Sequence, residues 1–369
     1  MISFERFKLK ANPFRVVPAI NAQELIWAGF PVIKETFEKR ILRSLQIPNS
    51  SIVLNWGDYG SGKTHAARYF CKDDVISSLA ERAGVQKPLA LMINFPRGKK
   101  VIDEIYTQLL DKIDIGYLRA NIPAGADINA CISNSTDSVF IQHVLQDMFA
   151  DNGKSVEQMK SFLYGASINA EFVGSGITRK LNIESDAVDL LSALFNVITE
   201  ASVYSSVILW IDEFEDIALQ NLNGTNAANS FIKLLLDKSP NHLLMFINFT
   251  LSAIATYDDL GDYLQEAVKS RIVQRIELGY PNTADVLSYI SDLMNNPIFR
   301  EEAVDNPYYP FDAEVVATLV NDIGSASLRK YNEAFSRLLD MAAFDQKDSI
   351  DMTYYLSNKA EVIVRWKDE

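Results

Sequence analysis

Short apolar runs alternate along this chain with stretches whose apolar residues recur at helical spacing. Ser51–Trp56 (Ser-Ile-Val-Leu-Asn-Trp) is such a run; it closes on Gly57 and predicts a buried strand. Thr64–Phe70 then predicts a helix. Pro88–Phe95 holds a second strand, Leu-Ala-Leu-Met-Ile-Asn, followed by a basic turn and a helix carrying Ile102, Ile105, Leu109 and Leu110. Val207–Ile211 is a third strand running straight into Asp212-Glu213, Leu243–Phe249 a fourth and Ile272–Leu278 a fifth. Helical stretches separate these strands, the pattern of a parallel sheet covered on both faces.

The texture changes after Pro281. Val286, Tyr289, Ile290, Leu293 and Met294 share one helical face, Val315, Val316, Leu319, Val320 and Ile323 a second, and Leu328, Tyr331, Phe335, Leu338, Leu339 and Ala342 a third. Amphipathic helices with no strand between them predict a small all-α domain. The mainly helical stretch from about Asp111 to Thr199 is too long for a simple crossover and is expected to be an insertion. The expected organisation is an arm and first helix over residues 1–50 and a sheet domain over 51–281. A helical lid follows over 282–345 and a tail over 346–369. The tail from Asp351 on reads equally as helix or strand.

Composition narrows the partners. The chain of 369 residues carries a formal net charge of −13, whereas a protein that wraps DNA along a broad face carries the opposite balance, because neutralising phosphates drives such binding. DNA contact is therefore expected to be local, weak or built in an oligomer. Cys71 and Cys131 are far apart and lack metal-type spacing. The N-terminus lacks the charged-then-apolar layout of a secretory signal. No apolar run approaches the roughly 18–20 residues that span a bilayer, so a cytoplasmic protein without membrane contact is expected.

Two motifs carry chemistry. Gly57-Asp58-Tyr59-Gly60-Ser61-Gly62-Lys63-Thr64 satisfies the phosphate-loop pattern between a strand and a helix. Its glycines let successive amide N–H groups face one point, and with the helix N-terminus that concavity suits a polyphosphate. Lys63 is expected to reach the β- and γ-phosphates and the Thr64 hydroxyl to bind magnesium. His65 belongs to the same nucleotide-contacting stretch, as a helix residue rather than a catalyst. The second motif is the strand Val207–Ile211 delivering Asp212 and Glu213 at its C-terminal end. Asp212 suits a magnesium ion through its water shell, and Glu213 suits polarisation of an attacking water. Glu215 and Asp216 have a simpler reason to be there, since acids favour the start of a helix. Together the motifs predict an α/β P-loop NTPase: a five-stranded parallel sheet flanked by helices, with a helical insertion and an all-α lid, using ATP and Mg2+.

The acid pair, the sheet-plus-lid layout and three later positions resemble the AAA+ ATPases, most of all their initiator group (origin-recognition, loader and transposition-targeting ATPases). Lys269-Ser270-Arg271-Ile272, ending at Ile276-Glu-Leu-Gly-Tyr280-Pro281, resembles that group's arginine-finger segment and its passage into the lid, with Arg275 the alternative to Arg271. Ile323-Gly324-Ser325 with Leu328-Arg329 resembles the sensor arginine of the lid. The end of the fourth strand offers Asn248 or Thr250 as the polar sensor, with Thr250 favoured by strand-end position. These likenesses span roughly Ser51–Gly98 and Val207–Ala342. In the insertion, Ser161-Phe-Leu-Tyr-Gly165 followed by Leu191 to Glu215 resembles origin-recognition-like ATP-binding proteins of bacterial phage-defence loci, which implies an antiviral role.

The resemblance implies that Arg329 acts on its own chain's nucleotide and Arg271 on a neighbour's, where a cation stabilises charge on the transferring phosphoryl group. Hydrolysis then requires a head-to-tail homo-oligomer, closing as a ring or running on as a helix. Asn12-Pro13-Phe14 and Trp27-Ala-Gly29-Phe30 lie in the segment that wraps the adenine in similar ATPases; an aromatic there either stacks on the base or packs the arm. The sequence departs from the group after the last lid helix, where too little chain follows for a winged-helix domain. Arg97, Lys99 and Lys100 remain as the nucleic-acid candidate, against the simpler reading of a solvated turn. Two functions compete: an ATP-driven switch assembling on a partner, with DNA left open, and an ATP-gated scaffold that recruits a protein such as a defence effector. A kinase-like transferase is the third reading, and nothing in the sequence resembles its acceptor site.

Overall fold

The computed structural model describes residues 3–17, 22–150, 154–167, 172, 174–250, 260–261 and 263–363. Five strands form one sheet: β1 (Ser51–Gly57), β2 (Leu89–Asn94), β3 (Val207–Asp212), β4 (Leu243–Thr250) and β5 (Ile272–Leu278). Their order is β2-β3-β4-β1-β5, and β2, β3 and β4 pair in parallel. Every residue of β1, β3 and β4 is buried, as expected of strands covered on both faces. β5 is an edge strand, and its residues alternate between covered and exposed positions instead. The expected strands are all present, with ends differing by a residue or so. Parallel register sets Asn94 opposite Asp212 and Ile211 opposite Ile247. Asp212 and Asn248, one step further along each strand, are therefore level.

The chain divides into two compact units. The sheet unit comprises Phe37–Trp56 and Phe70–Ile276. One sheet face packs Leu91, Ile93, Leu209, Ile211, Met245 and Ile247 among residues of the helices Val101–Lys112, Ile183–Glu200 and Leu222–Lys238. The opposite face carries an aromatic stack. Trp210 lies 3.9 Å from Phe246, nearly parallel, with Phe37 and Phe70 around it. Such rings bury large apolar areas and fix the sheet against its helices.

The stretch between β2 and β3 contains several helices. Its helices Ile115–Ala120, Ile128–Ser135, Val139–Phe149 and Val156–Leu163 start at Asp114, Asp127, Ser138 and Ser155, whose side chains each accept a first-turn backbone N–H. Ser155 and Gln158 complete a capping box. Lys154 and Asp147 form a buried ion pair at 2.8 Å. Arg119 donates to the carbonyls of Asp147, Met148 and Lys154, so the end of one helix and the residue before the next helix's cap are joined by charge-assisted bonds.

The helical unit comprises Met1–Thr36, Gly57–Tyr69 and Glu277–Glu369. Helices Thr283–Asn295, Ala313–Ile323 and Leu328–Phe344 carry the three expected apolar faces. The tail left open above is a helix, Met352–Val362, begun by Asp351 accepting from the Tyr354 N–H at 2.8 Å; residues 364–369 lie outside the described residues. The arm packs into this unit. Phe14 stacks on Phe335 at 5.3 Å, and the Asn12 amide donates to Ser336 and Asp340. Phe14 is thus spent on packing, the second of the two uses the sequence left open. Among the described residues no helix is long and apolar enough to cross a membrane.

Candidate nucleotide site

The glycine loop lies in the helical unit. β1 ends at Gly57, and the helix Lys63–Phe70 begins directly after Gly62. Gly60 and Gly62 have φ of +76° and +103°, values that cost a side-chain-bearing residue roughly 1–2 kcal/mol each. Gly57 is required for another reason. A Cβ there would collide with the Leu278 carbonyl oxygen and lie 2.8 Å from Ser61 Oγ. A Cβ at Gly60 would lie 2.7 Å from Arg329 Cβ and 3.0 Å from Ser327 Oγ. The start of the helix Leu328–Phe344 therefore borders the loop, and Arg329 is brought beside it from far along the sequence.

Lys63 is buried, and its ammonium donates to the carbonyls of Gly57 at 2.7 Å and Asp58 at 2.8 Å. The Ser61 N–H donates to the Asp58 carbonyl and closes the turn. Thr64 sits in the first helical turn, and Tyr59 is exposed. His65 turns away from catalysis: Nε2 lies 2.8 Å from the Ile26 carbonyl oxygen, and burial lowers its pKa, favouring the neutral ring. Trp27 packs beside it, 5.3 Å from the Tyr69 ring, with its indole N–H donated to the Gly29 carbonyl.

The acids lie in the sheet unit. Asp212 is buried at the end of β3, and its Oδ1 accepts from the Asn248 amide at 2.7 Å. The Asn248 oxygen accepts in turn from the Asn55 amide at 2.8 Å. Glu213 leaves the strand with φ +54° and ψ +35°, a left-handed conformation that costs a non-glycine residue about 1–3 kcal/mol and clusters at functional sites. Burial raises the Glu213 pKa; Arg97 opposes this, and the neighbouring Asp212, Asp216 and Glu215 add to it.

Arg97 is 3.6 Å from the Glu213 carboxylate and 2.5 Å from that of Asp216. Lys100 pairs with Asp103 at 3.5 Å. Two of the three basic residues considered for nucleic acid thus face carboxylates of their own chain. Thr250 donates to Glu215, while Asn248 engages Asp212. Both sensor candidates project from the same face of β4, two residues apart, and the strand register decides which meets which acid. The Arg271 guanidinium is bonded to Asp237 and to the Ala267 carbonyl; Arg275 is exposed on β5. No motif pointed to Asn55. Its only signal was an amide interrupting the apolar run Ile52-Val53-Leu54.

The donor set suits the groups the motifs imply. The Thr64 hydroxyl in the helical unit and the Asp212 carboxylate in the sheet unit are each of the oxygen-donor class that Mg2+ takes, an ion that keeps several waters and uses few protein oxygens besides phosphate. A glycine loop with a buried lysine and a helix start fits a polyphosphate.

A parallel sheet in this order has a glycine loop after β1, acids at the end of β3 and a helical C-terminal region. Two solved structures of Aeropyrum pernix proteins are similar in fold. The ORC2 protein of Aeropyrum pernix, solved as ADPNP–ADP complexes, matches with a TM-score of 0.51 and 13% identity over 93% of this chain and 72% of its own. The ORC1 protein of the same organism, solved in complex with DNA, matches with a TM-score of 0.50 and 14% identity over 96% of this chain and 70% of its own. At such identities the likeness establishes the fold. No protein-family model and no curated protein matches the chain.

Proposed function

We propose that this chain is an AAA+ ATPase that binds and hydrolyses ATP as a molecular switch, assembles head-to-tail with copies of itself, and acts on a macromolecular partner in the cytoplasm. The observation that carries the reading is the loop itself: left-handed Gly60 and Gly62, a Gly57 that admits no side chain, and the Lys63 ammonium folded against the loop. Loop amides and Lys63 bind the phosphates. Thr64 and Asp212 hold Mg2+, which when bound offsets phosphate charge. Glu213 orients and deprotonates the attacking water, and Asn248 fits the polar-sensor role better than Thr250 because it bonds Asp212. Arg329, at the loop of its own chain, reads the γ-phosphate. Arg271 serves a neighbour's nucleotide once its bonds to Asp237 and Ala267 are exchanged for a phosphate.

The scaffold reading, with a protein rather than DNA as partner, draws support from the net charge of −13 and from Arg97 and Lys100 being paired with acids of their own chain. A recruited defence effector fits it. One experiment serves both readings: ATP turnover per chain measured against protein concentration, with and without double-stranded DNA. A finger supplied in trans makes turnover per chain rise with concentration; a flat rate from nanomolar to micromolar protein contradicts head-to-tail assembly. Stimulation by DNA that is lost on Arg97→Ala/Lys99→Ala/Lys100→Ala favours DNA as partner, and a rate indifferent to DNA favours a protein.

A further inference from the structure

The sheet face that carries the Trp210–Phe246 stack continues toward the carboxyl ends of the strands as a line of polar side chains. Asp212 and Asn248 stand two residues beyond Trp210 and Phe246, hence on the same face, and Asn55 stands beside them on β1. All three are buried, Asn55 and Asn248 at 0% exposure and Asp212 at 3%.

Chemistry dictates the direction of this chain of bonds. An ionised carboxylate only accepts, so Asn248 must turn its NH2 to Asp212 Oδ1 and its oxygen to Asn55. Asn55 must then turn its own NH2 to Asn248. Its Oδ1 is left buried with no hydrogen-bond donor among the described residues. A buried, unsatisfied amide oxygen costs about 1–3 kcal/mol, a cost that apolar side chains at positions 55 and 248 would avoid. Asn55 is therefore a poor choice for packing alone, and what it supplies in return is a fixed orientation of the Asn248 amide.

We propose that Asn55 is a positioning residue of the ATPase. By donating to Asn248 it prevents that amide from rotating, and the locked amide holds the Asp212 carboxylate in the rotamer that serves Mg2+. The proposal rests on the ATPase reading above. It predicts that stability and turnover separate. Asn55→Leu removes one unsatisfied oxygen but also the donor to Asn248, and leucine is larger than asparagine; it therefore melts within a few degrees of the parent, and it binds ATP in EDTA as the parent does. Yet its kcat falls at least tenfold, and its half-saturating Mg2+ rises at least threefold. Asn55→Asp, which turns an acceptor toward the Asn248 oxygen, loses more turnover than Asn55→Leu. Because Asn55 acts through Asn248, adding Asn55→Leu to Asn248→Ala lowers kcat by less than twofold further.

Measured on the full chain, an Asn55→Leu protein within twofold of the parent in both kcat and Mg2+ requirement overturns the proposal. So does a turnover loss that follows a fall in Tm, which marks a merely structural residue. The ATPase reading fails differently: a parent that releases no phosphate, or a Lys63→Ala protein that turns over like the parent, overturns both together.

Discussion

Lys63→Ala is expected to weaken ATP binding by a hundredfold or more and to abolish turnover, while leaving the chain folded. The ammonium is the only positive group of the glycine loop, and it already sits against the loop's own carbonyls, 2.7 Å from that of Gly57 and 2.8 Å from that of Asp58. A triphosphate offers charged acceptors in place of those neutral ones, and charge-assisted hydrogen bonds are about twice as strong as neutral ones. A hundredfold change corresponds to about 2.7 kcal/mol, within reach of one such bond made in a dry site. Alanine keeps the helix start, since it is the best helix former. Fluorescent-nucleotide titration gives the affinity, and thermal melting reports the fold. Undiminished affinity contradicts the assignment of the loop.

Glu213→Gln is expected to separate binding from chemistry. Glutamine matches the volume and polarity of the side chain but cannot take a proton from water, and a positioned base contributes typically 10²–10⁴-fold. The kcat should therefore fall a hundredfold or more, with ATP affinity within about threefold of the parent, the pattern of a group that acts only in the transition state. Stability should hold or rise slightly, because a charge disfavoured first by burial and then by Asp212, Asp216 and Glu215 is removed, against the loss of its attraction to Arg97. Single-turnover phosphate release, set beside equilibrium binding, measures both. A parallel loss of binding and turnover would reduce Glu213 to a structural acid at a strained turn.

β1, β3 and β4 were legible because each is a short apolar run, and continuous burial in the sheet demands nothing subtler than that. The glycine loop was legible because its backbone conformations admit few residues other than glycine, so the constraint is written in the residues themselves. The tail helix was not, since Met352–Val362 has only a weakly amphipathic pattern and owes its start to one capping aspartate.

Side-chain partnerships were harder still. The choice between Asn248 and Thr250 depends on the register between β3 and β4, which spacing along the chain cannot give. Asn55 meets Asn248 across 193 residues. The Arg271–Asp237 and Arg97–Asp216 pairs likewise join elements distant in sequence. Phe14 had two plausible uses until the helices of its unit supplied the ring it stacks on. Long-range pairing, rather than local propensity, is what the residues left unsaid.

Labelling with an acyl-phosphate derivative of ATP tests the central claim most directly, because its acyl group transfers to the lysine lying against the bound phosphates. Digestion and mass spectrometry should find Lys63 as the dominant modified residue, with excess ATP suppressing the label and AMP leaving it. Label scattered over exposed lysines such as Lys99 and Lys100, and indifferent to ATP, would contradict a nucleotide held by this loop.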